Sequence, residues 1–255
     1  MDLIRTEIAD HIAVVTMDAP PVNAVGLQFM EEMIASFDRL NDLPDVRVVV
    51  LTGAGKCFSA GADIKDRLSR KEEPGTYWAH ARRARELSYS IVENKKPIIA
   101  AVNGPALGAG LGIAVSCDIL MCSENASLGL PEVDVGLMGG GRHTMRLFGH
   151  SLTRRMMLTG YRVPGPELYR LGIVECCVPR EQLMEEAMKM AATIAAKSPI
   201  ATKMAKQAAQ TIEFMTLRDG YRFEQNLTRE LSQTDDAKEA MRAFAEKRPP
   251  VFQGR

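Results

Sequence analysis

The 255-residue chain has no run of lysines or arginines, and its 32 basic residues are balanced by 32 acidic ones to a formal net charge of zero. Without a basic stripe it has no sequence-independent grip on nucleic-acid phosphates or anionic lipid, so the expected partners are small molecules or proteins, not nucleic acid or membrane. No apolar stretch approaches the roughly 20 residues that cross a bilayer. The opening residues Met1-Asp2-Leu3-Ile4-Arg5-Thr6-Glu7 also lack the basic-then-apolar layout of a signal peptide. A soluble cytoplasmic protein is the expectation. The five cysteines, Cys57, Cys117, Cys122, Cys176 and Cys177, have no C-x-x-C spacing and no nearby histidine. They lie in apolar segments and read as buried free thiols, with no metal site expected.

Three nucleotide or hydrolase signatures are also missing. Gly53-Ala54-Gly55-Lys56-Cys57 has a cysteine where a phosphate-binding loop needs Ser or Thr, and Val50 stands in place of its leading glycine. Gly108-Ala109-Gly110-Leu111-Gly112 follows an apolar run, as a dinucleotide fingerprint would. Its third glycine falls one position early, however, and Ile113 fills the slot that must be small for close helix packing. No G-x-S-x-G elbow occurs.

What the chain does have is 46% hydrophobic content, enough for one large domain or a domain with a helical appendage. Residues 3–8 and 11–17 flank Asp10-His11 as a hairpin, and Ala19-Pro20-Pro21-Val22-Asn23-Ala24 reads as a loop. Apolar residues recur at three and four from Leu27 to Leu40, which predicts a helix, and 46–52 predicts a strand. A polar, mobile-looking loop is expected from Arg67 to Gly75, then a helix over 76–94, a strand over 97–103, a short helix near 107–115 and a strand over 117–122. Repetition of strand, small-residue turn and helix implies a layered α/β structure. Residues 126–136 look β-rich, and Gly139-Gly140-Gly141 predicts a tight turn into a helix over 142–147. From Arg180 onward the pattern is helical over 180–197, 200–214, 216–232 and 235–247. That surface needs the body of the chain or a second subunit to cover it.

Two turns organise this layout. Phe58-Ser59-Ala60-Gly61-Ala62-Asp63-Ile64-Lys65 and Ala106-Leu107-Gly108-Ala109-Gly110-Leu111-Gly112 each follow a β-like run and carry almost no side chain. Two such turns can aim two backbone N–H groups at one ligand oxygen, the arrangement that stabilises charge developing on a carbonyl.

Together, Phe58, Ala60-Gly61-Ala62-Asp63, the turn at 106–110 and Leu130-Pro131-Glu132 resemble the crotonase, or enoyl-CoA hydratase/isomerase, superfamily. Similar words occur at Val22-Asn23-Ala24, Leu51-Thr52-Gly53, Ala101-Val102-Asn103-Gly104, Cys117-Asp118-Ile119, Leu158-Thr159-Gly160 and Ala243-Phe244-Ala245-Glu246-Lys247-Arg248, so the resemblance covers almost the whole chain. It implies an α/β crotonase-like spiral of ββα turns over 1–179, followed by a helical region over 180–255 for trimerisation and site closure. A homotrimer or dimer of trimers is implied. The substrate would be an acyl-CoA, with coenzyme A as part of that substrate and no separate cofactor. Its thioester oxygen would be held by the amides of Ala62 and Ala109. Val22, Ala24, Ala60, Asp63, Ile64, Leu107, Gly108 and Pro131 would line the CoA and acyl site, with Lys56 and Lys247 near the CoA phosphates.

The family's hydratases have two glutamates. Glu132 matches one, but Gly112 stands at the other position and can neither hold nor activate water. The resemblance therefore implies a single-base enzyme, similar to the family's enoyl-CoA isomerases, in which one carboxylate moves a proton between carbons. Two alternatives stay open: a hydratase with a substitute second acid or base, and a non-catalytic CoA-binding member. His143 and Arg142 replace small residues of the pattern, and alternation would place Asp134 on the same face as Glu132.

Overall fold

Asp10 and His11 both adopt positive φ (51° and 66°), which a tight two-residue connection between twisted strands requires. They join β1 (Ile4–Ala9) to β2 (Ile12–Met17), paired antiparallel with Ala9 opposite Ile12. The computed structural model describes residues 2–69 and 73–255. After β2 come β3 (Ala24–Val25), α1 (Leu27–Asp42), β4 (Val48–Gly53), β5 (Gly61–Ala62), α2 (Ile64–Ser69) and α3 (Thr76–Val92). The middle of the chain holds β6 (Ile98–Val102), β7 (Pro105–Leu107), α4 (Ala109–Ser116), β8 (Ile119–Ser123), β9 (Ser127–Gly129) and a 3-10 turn (Pro131–Val135). Then follow α5 (Gly141–Thr144), α6 (His150–Thr159), β10 (Arg162–Pro164), α7 (Gly165–Arg170) and β11 (Cys177–Val178). The chain closes with α8 (Arg180–Ala195), α9 (Pro199–Ile212), α10 (Leu217–Ser232) and α11 (Asp235–Glu246).

The strands assemble in two layers. The first is a six-stranded sheet in the order β1-β2-β4-β6-β8-β11, parallel from β2 onward. Its central strands are buried on both faces, which is why Val48-Val49-Val50-Leu51 and Ile98-Ile99-Ala100-Ala101-Val102 read as unbroken apolar runs. One face packs against Phe29, Met33 and Phe37 of α1 and against Leu87 and Ile91 of α3. The other is covered by Leu183, Ala187 and Ala191 of α8. The second layer consists of short strands: β3 pairs with β5, β7 with β9, and β9 with β10. A Ser59–Ala106 bridge joins its two halves. Each circuit of the spiral therefore runs long strand, short strand, helix, and the two small-residue turns lie on adjacent circuits.

Buried asparagines lock these circuits together. Asn23, 2% exposed, donates from Nδ2 to the carbonyls of Ala54 (3.0 Å), Cys57 (3.0 Å) and Phe58 (3.2 Å), while its Oδ1 accepts from Ala19 N (2.9 Å). Asn103 accepts from Gly53 N (3.1 Å) and donates to Gly55 O (3.1 Å). The loop before the first turn is thus clamped from both neighbouring circuits.

Several local expectations are corrected. The polar stretch after Lys65 begins as helix α2, because Asp63 Oδ1 caps it by accepting from Lys65 N (2.9 Å) and Asp66 N (3.1 Å). Residues 70–72 of the expected loop lie outside the described residues. Of the β-rich stretch 126–136 only Ser127–Gly129 is strand, since Pro131 opens a 3-10 turn. The helix after the triple glycine spans Gly141–Thr144 and not 142–147. All five thiols are free, Cys117 and Cys122 buried and the others half-buried. No helix among the described residues is long and apolar enough to cross a membrane.

Asn23→Ala should remove at least about 3 kcal/mol of stability, because it strands a buried amide and leaves carbonyls of the clamped loop unpartnered. Urea unfolding measures this, and a loss below about 1 kcal/mol would contradict the clamp.

Candidate active site

The two turns are in backbone contact. Leu107 N donates to Ser59 O (2.9 Å), and the amides of Phe58 and Ser59 both donate to Pro105 O (3.1 Å each). Gly61 sits at φ 94°, and a Cβ there would lie 2.6 Å from Leu107 O and 3.4 Å from Ala109 N. Only a residue without a side chain permits that approach and that backbone conformation. Ala62, next in line, is exposed, and Ala109 is half-buried. Ala109 is the first residue of α4, whose N-cap Gly108 (φ 54°, ψ −118°) supplies no side-chain cap. Its amide therefore belongs to the uncapped, electropositive end of an eight-residue helix, suited to negative charge on a ligand.

Glu132 faces that end. A Cβ at Gly108 would stand 2.6 Å from Glu132 Oε1, so the carboxylate rests where any side chain at position 108 would be. Glu132 Oε2 is buried without a hydrogen-bond partner among the described residues. Burial pushes the Glu132 carboxyl above its ordinary value of 4.5, and the residue's own backbone amide only partly offsets this. A carboxylate with one oxygen unpartnered and a raised pKa is a better base than a solvated one. Gly112 lies one helical turn along α4, its N donating to Gly108 O (3.0 Å). Its Cβ direction is open, with nothing within 4 Å among the described residues.

Asp134 does not share the face of Glu132. The 3-10 turn replaces strand alternation, and the Asp134 carboxylate points to Gly160, whose Cβ would lie 2.9 Å from Oδ2. His143 is half-buried on α5, which packs against α4. Burial, then Arg146 and Arg142, hold its imidazole below the usual pKa of 6.5, so it is neutral at pH 7. Arg142 places its guanidinium 5.5 Å from the centre of the Phe214 ring.

The remaining residues divide by position. Val22 O accepts from Ala60 N (2.9 Å), and Ala24 pairs with Gly61, which puts Val22, Ala24 and Ala60 beside the first turn. Asp63 and the exposed Ile64 start α2 directly after it. Leu107 is buried and meets Gly61 through its carbonyl, while Pro131 leads the 3-10 turn that carries Glu132. Lys56 is exposed, five residues ahead of Gly61. Lys247 is exposed at the C-cap of α11, with no hydrogen bond or ion pair to either turn among the described residues. The clamping roles of Asn23 and Asn103 were not read from sequence. Their only signal was an asparagine in each of two short loop words.

The model of the family described as enoyl-CoA hydratase/isomerase matches residues 7–255. A probable mitochondrial enoyl-CoA hydratase of Dictyostelium discoideum is 35% identical, over 97% of this chain and 89% of its own length. An (E)-benzylidenesuccinyl-CoA hydratase of Thauera aromatica is 35% identical over 98% of this chain and 99% of its own. Among solved structures, an enoyl-CoA hydratase from Bacillus anthracis superposes with a TM-score of 0.93 at 33% identity, covering 99% of this chain and 100% of that one.

The contrast between Gly108, the N-cap of α4, and Gly112 within it is testable. Gly108→Ala should drive Glu132 from its place and lower turnover by about a hundredfold, as small misplacements of reacting groups do. Gly112→Ala should leave the fold intact and add up to about 1 kcal/mol in urea unfolding, because the site is open and alanine favours helix. Equal effects at the two positions would contradict the geometry.

Proposed function

Because the chain belongs to the enoyl-CoA hydratase/isomerase family, we propose that its two turns and Glu132 form a single-base site that moves a proton on an acyl-CoA thioester through an enolate. The family membership makes it an enzyme with a crotonase fold, and acyl-CoA is its substrate class. In this reading the amides of Ala62 and Ala109 donate to the thioester oxygen. As the α-proton leaves, charge moves onto that oxygen, so both hydrogen bonds strengthen in the transition state. Removing one such donor costs about 3 kcal/mol. Glu132 takes the α-proton and returns it two carbons away, which shifts a double bond without water. Val22, Ala24, Ala60, Asp63 and Ile64 surround the first turn, where coenzyme A would lie. Lys56 is free to meet its phosphates.

The observation that carries this reading is the pairing of Glu132, whose Oε2 has no hydrogen-bond partner among the described residues, with an open space at Gly112. Hydration needs a second group to hold and activate water, and position 112 offers none. A second reading is favoured by the relatives, several of which bear hydratase names. In it the neutral His143 on α5, packed beside α4, supplies the missing acid or base.

Assembly belongs to the same proposal. Phe214 in the joint between α9 and α10, Leu217 on α10 and Phe244 on α11 are 70%, 92% and 87% exposed. Such a surface supports a homotrimer or a dimer of trimers.

Wild-type protein should exchange the α-proton in deuterated water, or shift a 3-enoyl-CoA double bond, faster than it hydrates crotonyl-CoA. Gly112→Glu should raise hydration, since its side chain enters open space. Rapid wild-type hydration with no exchange would contradict the single-base reading. Glu132→Gln should abolish exchange while acyl-CoA binding persists. The base must be ionised, so kcat/KM for exchange should rise with pH through an apparent pKa above 4.5. The stability consequence has the opposite sense. A carboxyl whose folded pKa is raised binds its proton more tightly in the native state, so stability falls as pH rises from the ordinary value through the raised one. Glutamine cannot ionise, and Tm of Glu132→Gln at pH 7 should equal or exceed that of wild type. A marked fall would mean that the carboxylate is held by partners.

A further inference from the structure

We infer that Arg142 and Arg146 are positioning residues, forming a latch that holds the Glu132 loop in place through the joint between α9 and α10. The inference rests on Glu132 being the base. Arg146 grips Glu213 in a forked contact: Nε donates to Oε1 (3.0 Å) and Oε2 (3.1 Å), and Nη2 donates to Oε2 (2.8 Å). The pair is only 25% and 29% exposed, and bidentate geometry of this kind is the strong form of an ion pair. Four residues earlier, Arg142 lies over Phe214 at cation–π distance. Two arginines four residues apart, one on α5 and one in the turn after it, therefore hold two consecutive residues, Glu213 and Phe214, just beyond the end of α9.

The joint they hold is itself anchored. On α9, Lys206 is buried with its Nζ 2.8 Å from Asp118 Oδ2 and donating to Ile91 O (3.2 Å) and Lys96 O (3.0 Å). Asp118 follows the C-terminal end of α4 and accepts from Ile98 N (2.7 Å), so this tie reaches the central sheet. Between α4 and α9 lies a cavity of about 520 Å³ bordered by both ion pairs and by Val115, Leu147 and Ala205. Polar ties span that gap: the two ion pairs, the Lys206 bonds to Ile91 O and Lys96 O, and a Gln210 Nε2 bond to Val92 O.

From Arg142 the path to the base is short. Gly140, the N-cap of α5, lies against Leu130, whose Cδ2 would be 2.8 Å from a Cβ at that position. Leu130 is buried two residues before Glu132, and Leu137 N donates to Glu132 O (2.9 Å) to close the turn. Glu132 Oε2 has no hydrogen bond to steer it among the described residues. The carboxylate goes where its backbone turn goes, and the latch fixes the far end of that turn's loop.

A charge-reversal cycle tests this. Arg146→Glu and Glu213→Arg should each lower kcat for exchange by about tenfold with KM within about twofold, and the double variant should recover most of the loss. Arg142→Ala should lower kcat by about threefold, with Arg142→Lys restoring it. Glu213→Gln keeps the shape and serves if a reversal variant does not fold; it should also lower kcat. Single variants with wild-type kcat and a lowered Tm would overturn the inference, as would a double variant that shows no recovery. A wild type that hydrates without exchange would instead contradict the role given to Glu132. The cycle would then be read on the hydration kcat, where unchanged values again overturn the latch.

Discussion

Two stretches of backbone touch at the centre of this protein because neither has a side chain to keep them apart. Gly61 rests against the carbonyl of Leu107, and the strand segments on either side exchange hydrogen bonds through Ser59 and Pro105. The contact fixes the height of one circuit of the spiral relative to the next. It also sets the separation of the Ala62 and Ala109 amides. The asparagine clamps work toward the same end, since Asn23 and Asn103 secure the loop that delivers Gly61. Sheet, clamps and helix α4 together hold a rigid backbone edge, which is what electrostatic preorganisation requires of donors that must not reorient during a reaction.

Against that edge the chain places one carboxylate under unfavourable conditions. Glu132 is turned toward Gly108, partly removed from water, and one oxygen lacks any hydrogen bond among the described residues. Such a group destabilises the fold when ionised and is correspondingly ready to accept a proton. Position 112 shows the complementary choice: a glycine in a helix, with open space where the side chain of a second acid would stand. On the single-base reading proposed above, one poised group and one withheld group separate proton shuttling from water addition. Arg142 on α5 and Arg146 just after it add a third element, tying the loop beyond Glu132 to the joint between α9 and α10.

Much of the architecture was legible in the residues. The long strands announced themselves as apolar runs, α1 by its spacing of Phe29, Met33 and Phe37, and the turns by their want of side chains. Strands of two or three residues, such as β3, β5 and β9, are too short for any periodicity to register. Asp134 was misplaced because alternation assumes a strand, and Pro131 had already begun a 3-10 turn. Helix α2 was hidden by its polar composition, with Asp63 as the one local sign of its start. Glu132 was legible as a candidate base only through the words around it, whereas its lack of partners is a property of the folded environment. Nothing local pairs Arg142 with Phe214 or Asp118 with Lys206, since these contacts exist only once the C-terminal helices have docked.

Polarisation of the thioester by two backbone amides is measured most directly by isotope-edited infrared spectroscopy of a bound, unreactive acyl-CoA labelled at its thioester carbon. Two converging donors weaken the carbonyl bond, so its stretch should fall clearly below the value in water, and Gly61→Ala, which separates the turns, should return it toward that value. A bound thioester whose stretch matches that of the free molecule in water, in wild type and variant alike, would contradict the placement of its oxygen between Ala62 and Ala109.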